Sequence, residues 1–317
     1  MILKILFTGA SSFTGSWFVQ ELAQAGHTVV AAFRRPREAY TGIRKERVER
    51  AASCSTPFYG CPFGDESFLE LLRSQPQWDL LCHHAADVEN YKSPLFDPAQ
   101  AFSSNTKNLP AILQLLKDKG CRTVLLTGTV FEQREGGEQN ARALSPYGLS
   151  KGLTAEAFLY YTECQQMRLG KFVIPNPFGL YEEPKFTTYL AKSWLNYQTP
   201  HVACPLYIRD NIPISLLAKA YAKFALELCG FPAQSNFFAF RPSGYVETQG
   251  EFTSRFAKEM SSRFTCPCPF VLEEQTQFEE PLSRINSTPL DWQQMDWDET
   301  HFWDALARYY EAYYGRK

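Results

Sequence analysis

The chain has 317 residues, 44% of them hydrophobic and 21% charged, which excludes a disordered or fibrous polypeptide and supplies apolar material for one large or two closely joined domains. Its 32 basic and 34 acidic residues nearly cancel, so no whole-chain field draws it to nucleic acid or to an anionic membrane. Apolar runs are far shorter than the roughly 20 residues that cross a bilayer, so neither a membrane nor nucleic acid is expected as a partner.

Residues 2–7 are apolar apart from Lys4 and read as a short buried strand. The turn Thr8-Gly9-Ala10-Ser11-Ser12-Phe13-Thr14-Gly15 follows, then a helix to about residue 25 that Gly26 and His27 should end. Residues 28–33 form a second β-rich run and complete a β-α-β unit of about 30 residues. Further apolar runs at 80–82, 124–126 and 172–174 alternate with helix-like stretches at about 65–75, 100–119 and 145–169. This alternation predicts an α/β fold, a doubly wound parallel sheet covered on both faces in the Rossmann manner. Beyond residue 175 the pattern loosens into helical stretches near 184–198, 213–229 and 251–262, a short strand at 237–240 and an aromatic-rich helix from about 299.

Nine cysteines, an odd number, are scattered along a chain with no leader-like stretch before its first strand. Reduced thiols and a cytoplasmic location are the expectation. Cys266 and Cys268 have too narrow a gap for a zinc or dithiol redox motif. His83 and His84 are neighbours on a strand and point to opposite faces, so no metal site is expected.

A small-residue turn between strand and helix lets a phosphate reach backbone N–H groups where the helix dipole also favours negative charge. Here the spacing is Gly9-x-x-Ser12-x-x-Gly15, with serine in place of the usual middle glycine. Such a turn is also an ordinary structural device, but its place in a β-α-β unit makes dinucleotide binding the better reading. An NAD-binding unit ends its second strand on an acidic residue that accepts from the ribose hydroxyls. Phe33 occupies that place, and Arg34 and Arg35 follow it. Guanidinium groups suit a 2′-phosphate by charge and bidentate geometry, which favours NADP(H) over NAD(H). The competing reading makes these arginines part of a solvated basic stretch with Arg37, Arg44 and Arg47.

Tyr147-Gly148-Leu149-Ser150-Lys151 places a phenol and an ammonium four residues apart, on one face of a helix. An ammonium beside a phenol favours the phenolate and brings proton exchange nearer neutrality. The preceding strand supplies Thr127 at its C-terminal end, where open α/β sheets bind their ligands. With these features the chain resembles the extended short-chain dehydrogenase/reductase family, in its branch of epimerases, dehydratases and reductases of nucleotide sugars. The resemblance runs over nearly the whole chain. It rests on Thr8-Gly9-x-x-Ser12-x-x-Gly15, on Asp79-Leu80-Leu81-Cys82-His83-His84-Ala85-Ala86, on Asn105, on Thr127, and on Tyr147 with Lys151. Downstream, Asn176-Pro177-Phe178-Gly179 and Ile208-Arg209-Asp210-Asn211-Ile212 resemble the segments whose asparagine and arginine hold the sugar diphosphate.

The resemblance implies Tyr147 as general acid/base, Lys151 as the group that tunes it and binds the nicotinamide ribose, and Thr127 as the residue orienting the sugar oxygen. It implies dinucleotide contacts from Gly9, Ser12, Phe13, Gly15, Arg34, Arg35, Ala85 and Lys151. Asn176, Arg209 and Arg284 are the implied substrate contacts, and a homodimer through two helices of the main domain is the implied assembly. A dinucleotide-binding domain is expected over 1–175. A smaller, mainly substrate-binding region is expected over 176–317, with some return of chain to the main domain. The chain departs from the family pattern elsewhere as well. Pro62 stands near where an aspartate often contacts adenine, and Gly128, Thr129 and Val130 follow Thr127 where dehydratases carry an acidic pair.

Three functions compete. The first is an NADPH-dependent reductase of a keto group on a nucleotide-linked deoxysugar, motivated by the phosphorylated cofactor. A nucleotide-sugar 4-epimerase is the close alternative. The third, a non-catalytic dinucleotide sensor, would have no need of Thr127, Tyr147 and Lys151. Loops at about 87–98, 132–144 and 185–208 would set base, sugar and configuration.

Overall fold

The computed structural model describes residues 2–137, 142–231 and 235–315, so residues 138–141 of the 132–144 loop lie outside the described residues. In chain order the strands are β1 (Lys4–Thr8), β2 (Thr28–Ala32), β3 (Thr56–Phe58), β4 (Leu80–His83), β5 (Thr123–Thr129), β6 (Arg168–Ile174), β7 (Asn176–Phe178), β8 (His201–Val202), β9 (Ile208–Pro213), β10 (Phe237–Phe240), β11 (Pro242–Ser243), β12 (Tyr245–Thr248), β13 (Val271–Leu272), β14 (Ser283–Arg284) and β15 (Thr288–Pro289). The helices are α1 (Phe13–Gln24), α2 (Gly42–Ser53), α3 (Glu66–Ser74), α4 (Pro98–Asn105), α5 (Leu109–Asp118), α6 (Pro146–Cys164), α7 (Phe186–Leu195), α8 (Ile214–Gly230), α9 (Gln249–Ser261) and α10 (Glu299–Tyr314). Two compact units result, Met1–Ile174 with Ala218–Arg241, and Pro175–Leu217 with Pro242–Lys317.

The first unit holds a parallel seven-stranded sheet in the order β10-β6-β5-β4-β1-β2-β3. β5 is buried along its whole length, as a central strand covered on both faces must be. On one face Leu6, Leu81 and Val124 join Phe68, Leu72, Leu113, Leu116 and Phe158 of the covering helices in a continuous core. On the other, Phe18 of α1 stacks on Tyr221 of α8 at 4.0 Å, and Phe172 of β6 meets Tyr221 edge-on at 5.0 Å. Each such side chain contributes about 1.5–3 kcal/mol by leaving water.

Several local features depart from the sequence reading. The expected helix over 100–119 is two helices, because Asn108 adopts the left-handed conformation (φ 55°) and Pro110 follows in the next helix's first turn. The arginine-rich stretch after β2 contains α2, whose amphipathic character the charges hid: Arg47, Val48 and Ala51 are its buried face. The strand at 237–240 belongs to the main sheet, pairing with β6 after α8 brings the chain back.

The second unit contains the sheet β12-β9-β14, with β7 also paired to β9. Its core is aromatic: Phe178 packs on Phe252, Phe302 and Trp303 at 5.2–5.6 Å. All nine cysteines are free thiols. Among the described residues no helix is long and apolar enough to cross a membrane, and no group of three or more His, Cys, Asp or Glu side chains could hold a metal ion.

Strand order reverses between β1 and β4, and a ligand crevice opens at the C-terminal ends of strands at such a point. There Gly9 lies at φ +84°, and a Cβ on it would meet the Ala85 nitrogen at 2.7 Å. Gly26 has a similar φ of +87° but open space around it. Both Gly9→Ala and Gly26→Ala should therefore lose about 1–2 kcal/mol to the left-handed conformation. Only Gly9→Ala adds a backbone clash, so in thermal or urea unfolding it should be clearly the less stable of the two. Equal midpoints would contradict the close approach.

Candidate active site

The turn after β1 is built by side-chain capping. Ser12 is the N-cap of α1; its Oγ accepts from the Gly15 amide at 3.0 Å and donates to the Gly9 carbonyl at 2.9 Å. Gly15 has no room for a side chain, since a Cβ would lie 2.3 Å from the Gly9 oxygen. Phe13 is buried at the first position of α1, with the Arg47 guanidinium over its ring at 5.7 Å. The Ala85 amide donates to Thr8 Oγ1 at 3.2 Å, locking the turn after β4 against β1. Gly9, Ser12, Phe13, Gly15 and Ala85 are thus one contiguous cradle at the head of α1.

At the end of β2, Phe33 is buried, stacked on Tyr59 at 5.1 Å and edge-on to Tyr40. Arg34 and Arg35 are exposed, and neither guanidinium has an ion-pair partner among the described residues.

Thr127 is 3% exposed on β5. Its Oγ1 lies 2.9 Å from His84 Nδ1, and His84 Nε2 lies 3.0 Å from both Ser12 Oγ and Thr14 Oγ1. Tyr147 and Lys151 occupy the first turns of α6, which starts at Pro146 under the Ser145 cap. Tyr91 packs edge-on against the Tyr147 ring at 5.2 Å, and Phe96 at 6.2 Å. Lys151 is 4% exposed, and its ammonium has no hydrogen-bond partner among the described residues. Burial pulls it down to about 8, against the pull of the Glu132 carboxylate and with the help of Lys171. The same Lys151 charge adds to burial in holding His83 and His84 down at about 3, so both imidazoles are neutral. Asn105 is a structural tie: its Oδ1 accepts from the Asp87 amide at 2.8 Å and its Nδ2 donates to Thr154 of α6.

The expected effect of Lys151 on the phenol is absent. Burial raises Tyr147, and the charges of Glu132 and Tyr91 raise it further. Glu132, which in the sequence is the first carboxylate after Thr127 and falls past the strand end, is 1% exposed. It pairs with Lys171 at 2.6 Å and accepts from the Thr129 amide at 2.8 Å. Lys171 also reaches Glu135 at 3.0 Å, and Arg241 holds Glu135 from its other side at 2.6 Å. The Lys171 stem explains Gly128: a Cβ there would sit 2.7 Å from Lys171 Cε.

In the second unit, β14 places Arg284 in register with Arg209 of β9. One oxygen of Glu280 accepts from both guanidiniums, at 2.8 Å and 3.0 Å. Arg209 is buried and lies over the Tyr207 ring at 4.5 Å. Burial, then the charge of Arg209, brings Arg284 down to about 10. Asn176 pairs with Asn211 at 2.5 Å across β7 and β9, and Asn211 Nδ2 is buried without a partner among the described residues. Glu280 and Asn211 carried no signal beyond their neighbours in the sequence.

The model of the NAD dependent epimerase/dehydratase family matches residues 5–207, a span that includes the turn, Thr127, Tyr147 and Lys151. The chain belongs to this family. It is therefore an NAD(P)-dependent enzyme of the extended short-chain dehydrogenase/reductase type. Solved structures similar to this family member include the UDP-glucose 4-epimerase of Thermotoga maritima with UDP-glucose, at TM-score 0.70 and 16% identity over 98% of this chain and 99% of that one. The Campylobacter jejuni UDP-Glc/GlcNAc 4-epimerase matches at 0.69 and 15%, over 98% and 99%. The Thermus thermophilus UDP-glucose 4-epimerase in complex with NAD matches at 0.69 and 18%, over 98% and 100%. At these identities the likeness speaks for the fold. No curated protein sequence matches.

The residues fit a dinucleotide. The cradle at Gly9 leaves no Cβ in the way, and the Lys151 ammonium is buried without a hydrogen bond of its own among the described residues. Burying that charge costs stability. Lys151 has a folded value of about 8 against an ordinary 10.5, so between these values the unfolded chain binds more protons and stability rises with pH. Lys151→Met should accordingly be more stable than the parent at pH 7, by up to about 3 kcal/mol. The gain should shrink as pH climbs from 8 towards 10.5, while dinucleotide binding weakens at every pH. Unfolding curves and dinucleotide titrations at several pH values check this; a variant less stable at neutrality would contradict it.

Proposed function

We propose that this enzyme is a nucleotide-sugar 4-epimerase. The observation that carries the reading is the inventory of proton-handling groups. Thr127 lies towards the C-terminal end of β5 and Tyr147 and Lys151 lie in the first turns of α6, whereas Glu132, the first carboxylate after Thr127 in the chain, is tied to Lys171 and the Thr129 amide. Elimination of water would need a general acid and a general base beyond the tyrosine, which this arrangement does not offer. Reversible oxidation and reduction at one carbon needs only one proton-transfer group. Epimerisation ranks ahead of the reductase reading because the similar structures are named as UDP-sugar 4-epimerases.

A bound nicotinamide supplies a hydride acceptor and donor. Tyr147 takes the proton of the sugar C4 hydroxyl as C4 is oxidised and returns it when the 4-keto group is reduced on its opposite face. The buried Lys151 ammonium holds the nicotinamide ribose and stabilises the phenolate as it forms. Thr127 holds the reacting oxygen. Arg209 and Arg284, with Glu280 standing between them as an internal anion, are the pair suited to a diphosphate, which would displace the carboxylate. Asn176 of β7 lies opposite Asn211 of β9 on the same sheet. Homodimerisation is part of the reading, since α6 exposes Leu149, Leu153 and Tyr160.

The test is incubation with NAD and UDP-linked hexoses. The expected result is C4 inversion with no net change in reduced coenzyme and no 4-keto-6-deoxy product. Tyr147→Phe should lower turnover by a hundredfold or more, about the contribution of general acid–base catalysis, with dinucleotide binding retained. Near-normal turnover of that variant would remove Tyr147 from its role.

The reductase reading has an observation of its own, two exposed arginines without an ion-pair partner among the described residues, beside a buried Phe33 where an acid would oppose a 2′-phosphate. NADP(H) should bind at least about tenfold more tightly than NAD(H), since one charge-assisted hydrogen bond is worth about 1.5–3 kcal/mol. The margin should close in the Arg34→Ala, Arg35→Ala double variant. Equal affinities in the parent protein would overturn the preference, and stoichiometric consumption of NADPH on a 4-keto sugar would place reductase first.

A further inference from the structure

Strand register in the second unit brings two guanidiniums together. β14 runs parallel to β9 with Arg284 opposite Arg209. Asp210, which is buried, fastens the neighbouring segments by accepting from the amides of Gly244 and Asn286 at 2.7 Å and 3.0 Å. The Arg209 guanidinium lies over the Tyr207 ring, and its Nη1 donates to the carbonyls of Ile208, Pro281 and Leu282 at 2.9–3.3 Å. That nitrogen is committed to the backbone. Nη2 instead donates to Glu280 Oε2 at 2.8 Å, and the same oxygen accepts from Arg284 Nη1 at 3.0 Å.

The three side chains differ in exposure. Those of Arg209 and Arg284 are 6% and 12% exposed, whereas that of Glu280 is 54% exposed. Two cations so close repel: the charge of Arg209 adds to burial in holding Arg284 down at about 10. Glu280 offsets this repulsion from the solvent side. Its backbone is tethered separately, the amide donating to the Tyr207 hydroxyl at 3.1 Å, and it lines a surface cavity of about 380 Å³ with Tyr207, Cys204 and Gln275. Rotation about its side-chain bonds therefore carries the carboxylate off the guanidiniums without moving the main chain.

We propose that Glu280 is a specificity-determining residue, a tethered counter-anion that occupies the phosphate position of the Arg209–Arg284 pair until a ligand displaces it. This rests on the reading of the pair as a diphosphate site, not on epimerisation. A diphosphate replaces both charge-assisted hydrogen bonds with more oxygens and more charge than one carboxylate has. A free carboxylate offers no more than Glu280 itself, and the tether gives Glu280 an effective concentration on the order of millimolar. The pair therefore takes diphosphates and rejects carboxylate anions. Because substrate and product share the diphosphate, the displacement lowers the affinity of both equally.

The test is calorimetric titration and thermal unfolding of the full chain with pyrophosphate, UDP and malonate, in the parent, Glu280→Gln and Glu279→Gln. Glu279 lines the same cavity, is exposed and makes no hydrogen bond or ion pair among the described residues, so its variant removes the same charge one residue away. Pyrophosphate and UDP should bind Glu280→Gln roughly tenfold more tightly than the parent, the order of one charge-assisted hydrogen bond screened by exposure. Malonate at equal concentration should raise the unfolding temperature of Glu280→Gln but not of the parent. Glu279→Gln should behave as the parent does. If UDP binds the parent as tightly as Glu280→Gln, or more tightly, the proposal fails while the diphosphate reading stands. An equal gain in Glu279→Gln would trace the effect to general charge and reject Glu280, and malonate protecting the parent as well as Glu280→Gln would reject the selectivity. If neither UDP nor pyrophosphate binds the parent or Glu280→Gln, the proposal and the diphosphate reading fall together. Absence of C4 inversion, by contrast, removes the epimerase reading alone.

Discussion

The constraint on which the rest of the structure depends is the approach of two backbone turns, Gly9 after β1 and Ala85 after β4. A Cβ at Gly9 would fall 2.7 Å from the Ala85 nitrogen, closer than real contacts allow. That approach puts the head of α1 beside the end of β4. It therefore puts His84, the residue before Ala85, within reach of both the Ser12 cap and Thr127. The order of the sheet supplies the geometry: β1 and β4 are neighbours although about seventy residues separate them, and the crevice lies where the strand order reverses. The turn at the head of α1 and Thr127 are consequently linked by one buried ring instead of by a loop.

A second theme is charge kept out of water. Lys151 is buried without a hydrogen bond among the described residues, and Glu132, Lys171, Glu135 and Arg241 form a compensated network. The network neutralises itself; the single ammonium does not. Unpaired buried charge lowers stability, and on the proposed reading a bound dinucleotide is what completes Lys151. Burial also explains why Tyr147 in the ligand-free protein keeps its proton more firmly than an exposed phenol, despite a lysine one helical turn away. On the proposed mechanism, phenolate character then develops as the reaction proceeds.

Much of this was legible in the sequence. The strand-helix alternation, the Gly9-x-x-Ser12-x-x-Gly15 turn and the tyrosine-lysine spacing each follow from local periodicity, and the parallel sheet follows from them. What local pattern could not show was pairing over long distances. The strand Phe237–Phe240 reads as part of a second region, but pairs with β6 because α8 carries the chain back under the sheet. The α2 helix was hidden by its arginines. Glu132 read as a carboxylate past the end of a strand; only the register of β5 against β6 reveals Lys171 as its partner and Gly128 as the space that admits it. The Arg209–Glu280–Arg284 cluster likewise depends on β14 joining β9. Adjacent histidines suggested opposite faces. The structure shows one beside Thr8 and the other beside Thr127.

The account's central claim is that oxidation and reduction take place at the same sugar carbon within one turnover. The fate of a deuterium placed at C4 of the nucleotide sugar tests it most directly. In the presence of excess unlabelled reduced coenzyme, the inverted product is predicted to keep its deuterium at C4, with none in the solvent or the coenzyme pool. Loss of the label to the pool, or an inverted product carrying hydrogen at C4, would contradict the claim.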